Sequence, residues 1–333
     1  MTGCFSDGGC AEMSDEVFRK IRTVKGSIDI LSVGEIVADY ITTEDRPLKE
    51  VTVFEKFFGG SPANITFHMK QMGMNPVLVA KIGDDADGAF LMSVLDEHKI
   101  SKEHIRVAKK KGTTKVFHRR HVERPEFEVL RGADAHLRHK EVDFSIIAQA
   151  KIVHTNAFTM AEEPVREVAL TVLEKAHELG KIVSFDPNYR YKVWPDKKKA
   201  LETLRRVYRF VDLTKPSMDD ARELFGELDP RQYIKKFHSL GAKIVVLTMG
   251  SKGSLISDGR SFIKIPVEQC DAKESTGAGD MYWTVFLISL LRGDGLETAG
   301  RKASYAATKV VSKIGAVLEL DDYNEIIAYM GLF

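Results

Sequence analysis

The sequence predicts an α/β protein in which a mostly parallel central sheet carries helices on both faces and a small β lid stands beside it. Short β-branched or apolar runs alternate along most of the chain with longer stretches of helical periodicity, the pattern that builds a covered parallel sheet. Two segments, 40–58 and 112–131, break that rhythm with strand-like alternation and no helix between, which predicts a second, smaller sheet. The run Glu274-Ser275-Thr276-Gly277-Ala278-Gly279-Asp280, leading straight into the apolar stretch 281–291, predicts where the chemistry sits.

Taken in order, the apolar runs place strands at 28–33, 77–82, 152–154, 182–185, 211–213 and 244–248. Between them, spacing near 3.6 places helices at 61–73, 86–98, 164–179, 197–209, 219–225 and 230–240. Residues 51–58 and Phe127-Glu128-Val129-Leu130 alternate as lid strands. Beyond position 277 the pattern is helical almost to the end, interrupted at Gly315. Ligands of such sheets bind at the carboxyl ends of the strands, so a sheet over those ends acts as a lid.

A chain of 333 residues lies near the upper size for one core, and one large domain over 27–333 behind an N-terminal extension, 1–26, fits it. The extension has no apolar h-region, and 281–291 is too short to span a bilayer; neither signal nor anchor is expected. With 44% apolar and 29% charged residues the chain can bury a sizeable core. Its 49 Lys and Arg nearly cancel 48 Asp and Glu, so no global field favours nucleic acid or a membrane surface. Cys4, Cys10 and Cys270 are too few and scattered for a disulfide framework or zinc site and fit a reducing compartment, the cytoplasm.

In 274–280, small residues that let a ligand approach the backbone open a helix whose first amides lack intrahelical partners. Those amides and the positive end of the helix dipole attract phosphate, and Asp280 stands beside them as a base. The same run also reads as a tight turn capped by Asp280, and alone it leaves both readings open. In Phe57-Phe58-Gly59-Gly60-Ser61-Pro62-Ala63-Asn64 a glycine pair ends a lid strand, with Ser61 as N-cap, Pro62 at the first helical position and Asn64 facing the same mouth. Gly83-Asp84-Asp85-Ala86-Asp87-Gly88 reads as a solvated acidic turn. His118-Arg119-Arg120-His121 and His136-Leu137-Arg138-His139 lack a third metal ligand and read as a solvated basic flank.

The two glycine-rich runs, in this order and with Gly83-Asp84-x-x-x-Gly88 between them, resemble the two signatures of the PfkB, or ribokinase-like, carbohydrate kinases. The likeness covers 28 to about 320 and implies a three-layer ribokinase-like fold. Gly34-Glu35-x-x-x-Asp39, Glu126-Phe127-x-x-x-Arg131 through Asp134, and Phe185-Asp186-Pro187-Asn188-Tyr189-Arg190 with Trp194 are similar to the fructokinase and 2-keto-3-deoxygluconate kinase branch.

The resemblance implies the following roles. Asp39, at the end of the first strand, bonds sugar hydroxyls, with Gly59, Gly60 and Asn64 lining the same pocket. Arg131 reaches the sugar or its new phosphate, and Asp186 and Asn188 sit near the phosphates or Mg²⁺. Thr248, Gly250 and Gly253 form the strand-to-turn that meets ATP, though they also read as a plain β-turn. Lys215 precedes Ser217 and Asp220, which stand where relatives carry an Asn-x-x-Glu motif tied to phosphate and Mg²⁺. Asp280 is the implied base, with Gly277, Ala278 and Gly279 as the anion hole. Glu274 and Ser275 replace the usual Asp-Thr, mild changes that bear on a K⁺ site and leave Asp280 untouched. Lid strands with apolar faces imply pairing of two copies.

These residues favour an ATP- and Mg²⁺-dependent sugar kinase, fructokinase first and 2-keto-3-deoxygluconate kinase second. A nucleoside kinase has no supporting feature beyond the shared signatures, and an inactive sugar or nucleotide binder is the reading that Glu274, Ser275, Ser217 and Asp220 motivate. No Gly-x-x-x-x-Gly-Lys-Ser/Thr occurs, so a P-loop is not used.

Overall fold

The sequence of burial along the strands explains the layers. In β11 (Ile244–Thr248), Ile244 and Val246 face one apolar cluster while Val245 and Leu247 face another, so a strand covered on both faces reads as an unbroken apolar run. The structure, a computed structural model, is described over residues 7–120, 126–194, 196–267 and 270–332; Cys4 and His121 lie outside the described residues.

The chain begins with α1 (Asp7–Thr23), which buries Val17 and Ile21 in the main core and ties Lys20 to Asp212 at 2.5 Å. Residues 7–23 of the extension are therefore a packed helix. The chain continues through β1 (Ile28–Val33), β2 (Val37–Thr42), β3 (Phe54–Gly59), α2 (Ser61–Gln71), β4 (Pro76–Gly83), α3 (Ala86–Glu97), β5 (Ile105–Ala108), β6 (Lys115–His118) and β7 (Phe127–Leu130). It then alternates through β8 (Ala150–Asn156), α4 (Val165–Glu178), β9 (Ile182–Asp186), α5 (Lys197–Val207), β10 (Leu213–Thr214), α6 (Met218–Phe225) and α7 (Pro230–Leu240) to β11. A hairpin of β12 (Ser254–Ser257) and β13 (Phe262–Ile265) precedes α8 (Ala278–Leu291), α9 (Leu296–Val311) and α10 (Leu320–Met330).

Among the described residues the large sheet runs β13-β12-β11-β10-β9-β8-β1-β4-β5, parallel except for the β12 and β13 pairings. Helices α4 to α7 cover one face, and α1, α2, α3, α8, α9 and α10 the other. Helix α8 is buried from Met281 to Leu290, which is why its sequence shows no polar face. The lid is a separate sheet ordered β3-β2-β6-β7. Strands β5, β12 and β13 have no counterpart among the expected elements.

Three expectations need correction. Asp39 lies within β2, the first lid strand, instead of ending the first strand of the main sheet. Gly60, with φ +99°, is the N-cap of α2, which puts Ser61 at its first position and frees the Ser61 hydroxyl. The acidic turn at 83–88 is not a solvated one: Asp85 caps α3 through Gly88 N and receives Thr113 Oγ1, while buried Asp87 takes Tyr40 Oη at 2.7 Å, Lys56 Nζ at 3.3 Å and Lys115 Nζ at 3.0 Å. Burial alone would raise the Asp87 carboxyl, but these partners hold it below its ordinary value. Three lid side chains are thereby moored to one carboxylate at the start of α3.

Asp87→Ala should lower global stability by about 1–3 kcal/mol, the worth of hydrogen bonds to a charged group. The same variant should speed amide exchange in 37–59 and 115–118 more than in β8 and β9. Equal acceleration in the lid and the central strands, read by hydrogen exchange with mass spectrometry, would remove Asp87 as the mooring.

Candidate active site

The carboxyl ends of the parallel strands present Glu35, Asn156, Asp186, Lys215 and Thr248 to the mouth that the lid overhangs, the edge where open α/β sheets bind ligands. Helix α8 starts at the same mouth. Its N-cap, Gly277, has φ +79° and stands so close to Ala316 that a Cβ would come within 2.4 Å of it, so both conformation and space demand glycine. The first intrahelical bond is Met281 N to Gly277 O at 2.9 Å, and Ala278 N reaches Ser275 O at 3.3 Å. The amides of Gly279 and Asp280 have no intrahelical partner and are free to hold an anion.

Asp280 is the centre of this mouth. Ser61 Oγ donates to its Oδ1 at 2.6 Å and Asn64 Nδ2 to its Oδ2 at 2.8 Å, both from the first turn of α2. Burial pushes the Asp280 carboxyl up to about 6, while the Ser61 and Asn64 bonds and the Lys215 charge pull the other way. A carboxyl poised there is a proton acceptor at neutral pH. Asn64 Oδ1 is buried without a hydrogen-bond partner.

Lys215, directly after β10, sends Nζ to Asp186 Oδ2 at 2.9 Å and lies 3.3 Å from where a Cβ on Gly279 would be. Burial alone would lower this ammonium, but Asp186, by charge and hydrogen bond, and then Asp280 and Asp220 hold it above its ordinary value. It therefore stays a cation beside the first turn of α8. Asp186 Oδ1 also accepts Asn188 N at 3.0 Å. Asp220 is filled by the protein: Ser217 N and Oγ bond Oδ2 at 2.9 and 2.6 Å, and Tyr189 N and Arg190 bond Oδ1 at 2.8 and 3.2 Å.

On the far half of the sheet, Thr248 N bonds Pro216 O at 3.0 Å, tying the end of β11 to the Lys215–Asp220 loop. Gly250, at φ +56°, faces open space, whereas a Cβ on Gly253 would strike Ile265 O of β13. Gly253 is thus dictated by the hairpin, and Gly250 alone of the pair borders an open approach. Glu274 Oε1 accepts Thr276 N at 2.7 Å and Thr276 Oγ1 at 2.5 Å, and its Oε2 is buried without a hydrogen-bond partner.

The lid brings a pair that sequence reasoning only half anticipated. Asp39 is buried, its Oδ2 so close to Gly59 that a Cβ there would stand at 1.9 Å, and its Oδ1 lies 3.0 Å from His118 Nε2. His118 is therefore no part of a solvated flank: β6 pairs with β2 in parallel and turns it onto Asp39. Arg131 is held within the protein. Its guanidinium bonds Phe158 O at 2.7 Å, Thr159 O at 3.3 Å and Asp134 at 2.8 Å, and covers the Phe158 ring, so it clamps the end of β7 to the loop after β8.

Glu35 escaped assignment to the site. Its Oε1 takes Ser61 N at 3.2 Å and Asn156 Nδ2 at 2.7 Å, and its Oε2 takes Thr159 Oγ1 at 2.5 Å. It joins the loop after β1, the start of α2 and the loop after β8 around one buried carboxyl. Burial pushes that carboxyl up to about 7, with the Thr159 and Asn156 bonds, its own backbone and the Arg131 charge pulling it down. A glutamate after a Gly at a strand end is the signal that marks it.

The profile of the pfkB family carbohydrate kinases matches residues 27–322. A 6-phosphofructokinase, ATP-dependent, of Thermoanaerobacterium thermosaccharolyticum is 32% identical over 298 residues, 90% of this chain and 92% of that one. The structure of Halothermothrix orenii fructokinase superposes with a TM-score of 0.75 at 35% identity, covering 86% of this chain and 100% of that one. A sugar kinase of Pyrococcus horikoshii in complex with ATP superposes at 0.78 with 25% identity, covering 89% and 99%.

The raised Glu35 carboxyl gives a signed stability prediction. Its pKa is higher folded than unfolded, so its contribution is complete below the unfolded value near 4.5 and is lost as pH rises through about 7. Glu35→Gln should lose that dependence. The stability gap between parent and variant, from urea unfolding at pH 5 and pH 8, should shift in the variant's favour by up to about 3 kcal/mol; a gap independent of pH would contradict the shift.

Proposed function

The chain belongs to the pfkB family of carbohydrate kinases, and from that premise we propose that it transfers the γ-phosphoryl group of ATP to a primary hydroxyl of a ketose, fructose foremost. The observation that carries the reading is Asp280 with a primary hydroxyl, that of Ser61, already bonded to it at 2.6 Å beside free helix amides and the Lys215 ammonium. A sugar –CH₂OH in that place would give its proton to Asp280 as its oxygen attacks the γ-phosphorus and ADP departs. The Gly279 and Asp280 amides and Lys215 stabilise the charge on the transferring oxygens.

Asp39, the Gly59–Gly60 backbone and Asn64 hold the remaining sugar hydroxyls, with His118 orienting Asp39. The lid of β2, β3, β6 and β7 covers them and keeps water out. Thr248 and Gly250 border the nucleotide on the other half of the sheet. Arg131 acts by fixing the lid end, with its guanidinium held by Phe158, Thr159 and Asp134.

Lys215 and Arg190 against Asp186, Asp220 and Asp280 leave one carboxylate in excess, which suits a metal-bound nucleotide better than free ATP. Mg²⁺ bound to the triphosphate supplies charge neutralisation. Asp186 and Asp220, whose oxygens already accept protein donors, would face it through its water shell. The partnerless Glu274 Oε2 supports a monovalent cation such as K⁺, which exchange of potassium for tetramethylammonium in the assay tests. Absence of a membrane-length apolar helix among the described residues fits a cytoplasmic enzyme, and pairing of two copies through lid strands is part of the same proposal.

Steady-state kinetics with fructose, fructose 6-phosphate, 2-keto-3-deoxygluconate, ribose and adenosine decide the substrate. Fructose should give the highest kcat/KM, and Asp39→Ala should raise its KM about tenfold while sparing that of ATP, the loss of bonds to a charged acceptor. The name of the Thermoanaerobacterium relative makes fructose 6-phosphate the rival; a higher kcat/KM with it would replace fructose.

The assignment of the base has its own test. Asp280→Asn should lower kcat by roughly 10²- to 10⁴-fold with little change in either KM. In the parent, kcat/KM should fall as pH drops through about 6, because the base must be ionised. Activity of the variant within threefold of the parent would remove Asp280 from that role.

A further inference from the structure

We propose that Phe57 is a positioning residue that links the seating of sugar in the lid to the anion hole, acting through the turn at 315–316 on Gly277. The inference rests on the kinase reading above and concerns how the two halves of that site are joined.

Phe57 lies directly opposite Asp39 in the antiparallel pairing of β3 with β2, and residues so paired share a face of the sheet. The next pair along, Tyr40 and Lys56, turns to the other face and reaches Asp87. Phe57 therefore stands beside Asp39 on the face that meets the sugar in that reading. There its ring lies against Gly315: a Cβ on that glycine, whose φ is +81°, would come within 2.7 Å of Phe57 Cδ1 and 3.2 Å of its Cγ. The residue that follows, buried Ala316, meets the anion hole. A Cβ on Gly277, the N-cap of α8, would stand 2.4 Å from Ala316 Cβ.

Two consecutive residues thus carry contacts too tight for an added methyl group, one to the lid and one to the helix start. The turn is tied to the run before α8 at a second point, where Val311 O accepts Lys273 N at 2.7 Å and Glu274 N at 3.3 Å. Close-packed contacts of this kind transmit displacement, because they leave no space to absorb it. A sugar bonded to Asp39 favours the arrangement in which β2 and β3, and with them Phe57, are seated. That arrangement also holds Gly277, just ahead of the Gly279 and Asp280 amides offered to the γ-phosphoryl oxygens. Sugar and the γ-phosphoryl group then favour one state, and each tightens the other by the same factor.

The test is calorimetric titration, in Mg²⁺, with β,γ-methylene-ATP and separately with ADP. Each is titrated with and without saturating sugar, the better of fructose and fructose 6-phosphate in the kinetics above. In the parent, sugar should tighten the triphosphate analogue about fivefold or more. ADP, which lacks the γ-phosphoryl group, should gain about threefold less. Phe57→Ala and Ala316→Gly should each bring the gain for the analogue below about twofold, with sugar or analogue alone bound within about threefold of the parent. Phe57→Leu, which keeps a Cδ against Gly315, should hold the gain within about twofold of the parent's. A gain that survives in Phe57→Ala or Ala316→Gly, that is lost in Phe57→Leu, or that is absent from a parent that phosphorylates sugar overturns this inference alone. Equal gains for ADP and the analogue do the same, since the anion hole would not be the recipient. Loss of sugar affinity itself in Phe57→Ala would make Phe57 a wall of the pocket and also overturns it. A parent that phosphorylates no sugar overturns the kinase reading with it.

Discussion

A carboxylate partly withdrawn from water needs donors to stay ionised, and Asp280 draws its donors from a helix 219 and 216 residues away in sequence. Two charge-assisted bonds, each worth about 1.5–3 kcal/mol, do not cancel its burial: the carboxyl still sits near 6, about two units above its ordinary value, or roughly 3 kcal/mol against the ionised form. Burial wins by a small margin, and that margin is what leaves Asp280 able to take a proton at neutral pH and to release it afterwards. The requirement also explains the packing of α2 on α8, whose first turns must face each other. Since β3 runs into α2 through Gly59 and Gly60, the same constraint fixes where the lid begins and brings Asp39 against Gly59.

The lid is therefore not an independent appendage. Its strand β2 carries Asp39 and Tyr40, which point to different masters: Asp39 to Gly59 and His118 on the pocket side, Tyr40 to Asp87 at the start of α3. Alternation of side chains along a strand makes this possible, one face turned to Gly59 and His118 and the other to the anchor. The Tyr40 hydroxyl, pushed up to about 12 by burial and by the Asp87 acceptor, stays a donor across the working pH range.

Much of this was legible in the sequence where a residue's type has one physical explanation. Gly277 must adopt a left-handed backbone, a strand buried on both faces must be apolar at every position, and β1 and β11 fall on the expected residues for that reason. The hairpin of β12 and β13 was not legible, because four-residue strands at the sheet's edge carry too short a period to stand out from loop. His118 was misjudged for a different reason. A basic run has the same composition whether solvated or folded inward, and only the parallel pairing of β6 with β2 decides between them. Glu35 and Asp87 show the same limit for acids: buried and exposed carboxylates look alike until their donors are known.

The departures from the family signatures acquire a physical meaning in this frame. With Ser217 and Asp220 in place of the Asn-x-x-Glu pair, the shorter acid is drawn back into a capping box, Ser217 and Asp220 bonding each other's backbone at the start of α6. Its other oxygen holds Tyr189 N and Arg190, so the loop after β9 is fixed by the same residue. Glu274 works in the opposite sense. Its extra methylene still lets one oxygen brace Thr276 at the entry to the anion hole, while the other is left buried and without a partner. Asp220 is thus saturated by protein donors, while Glu274 keeps one oxygen without a hydrogen-bond partner. Asp186, through its 2.9 Å bond, is the carboxylate that holds Lys215 beside the first turn of α8.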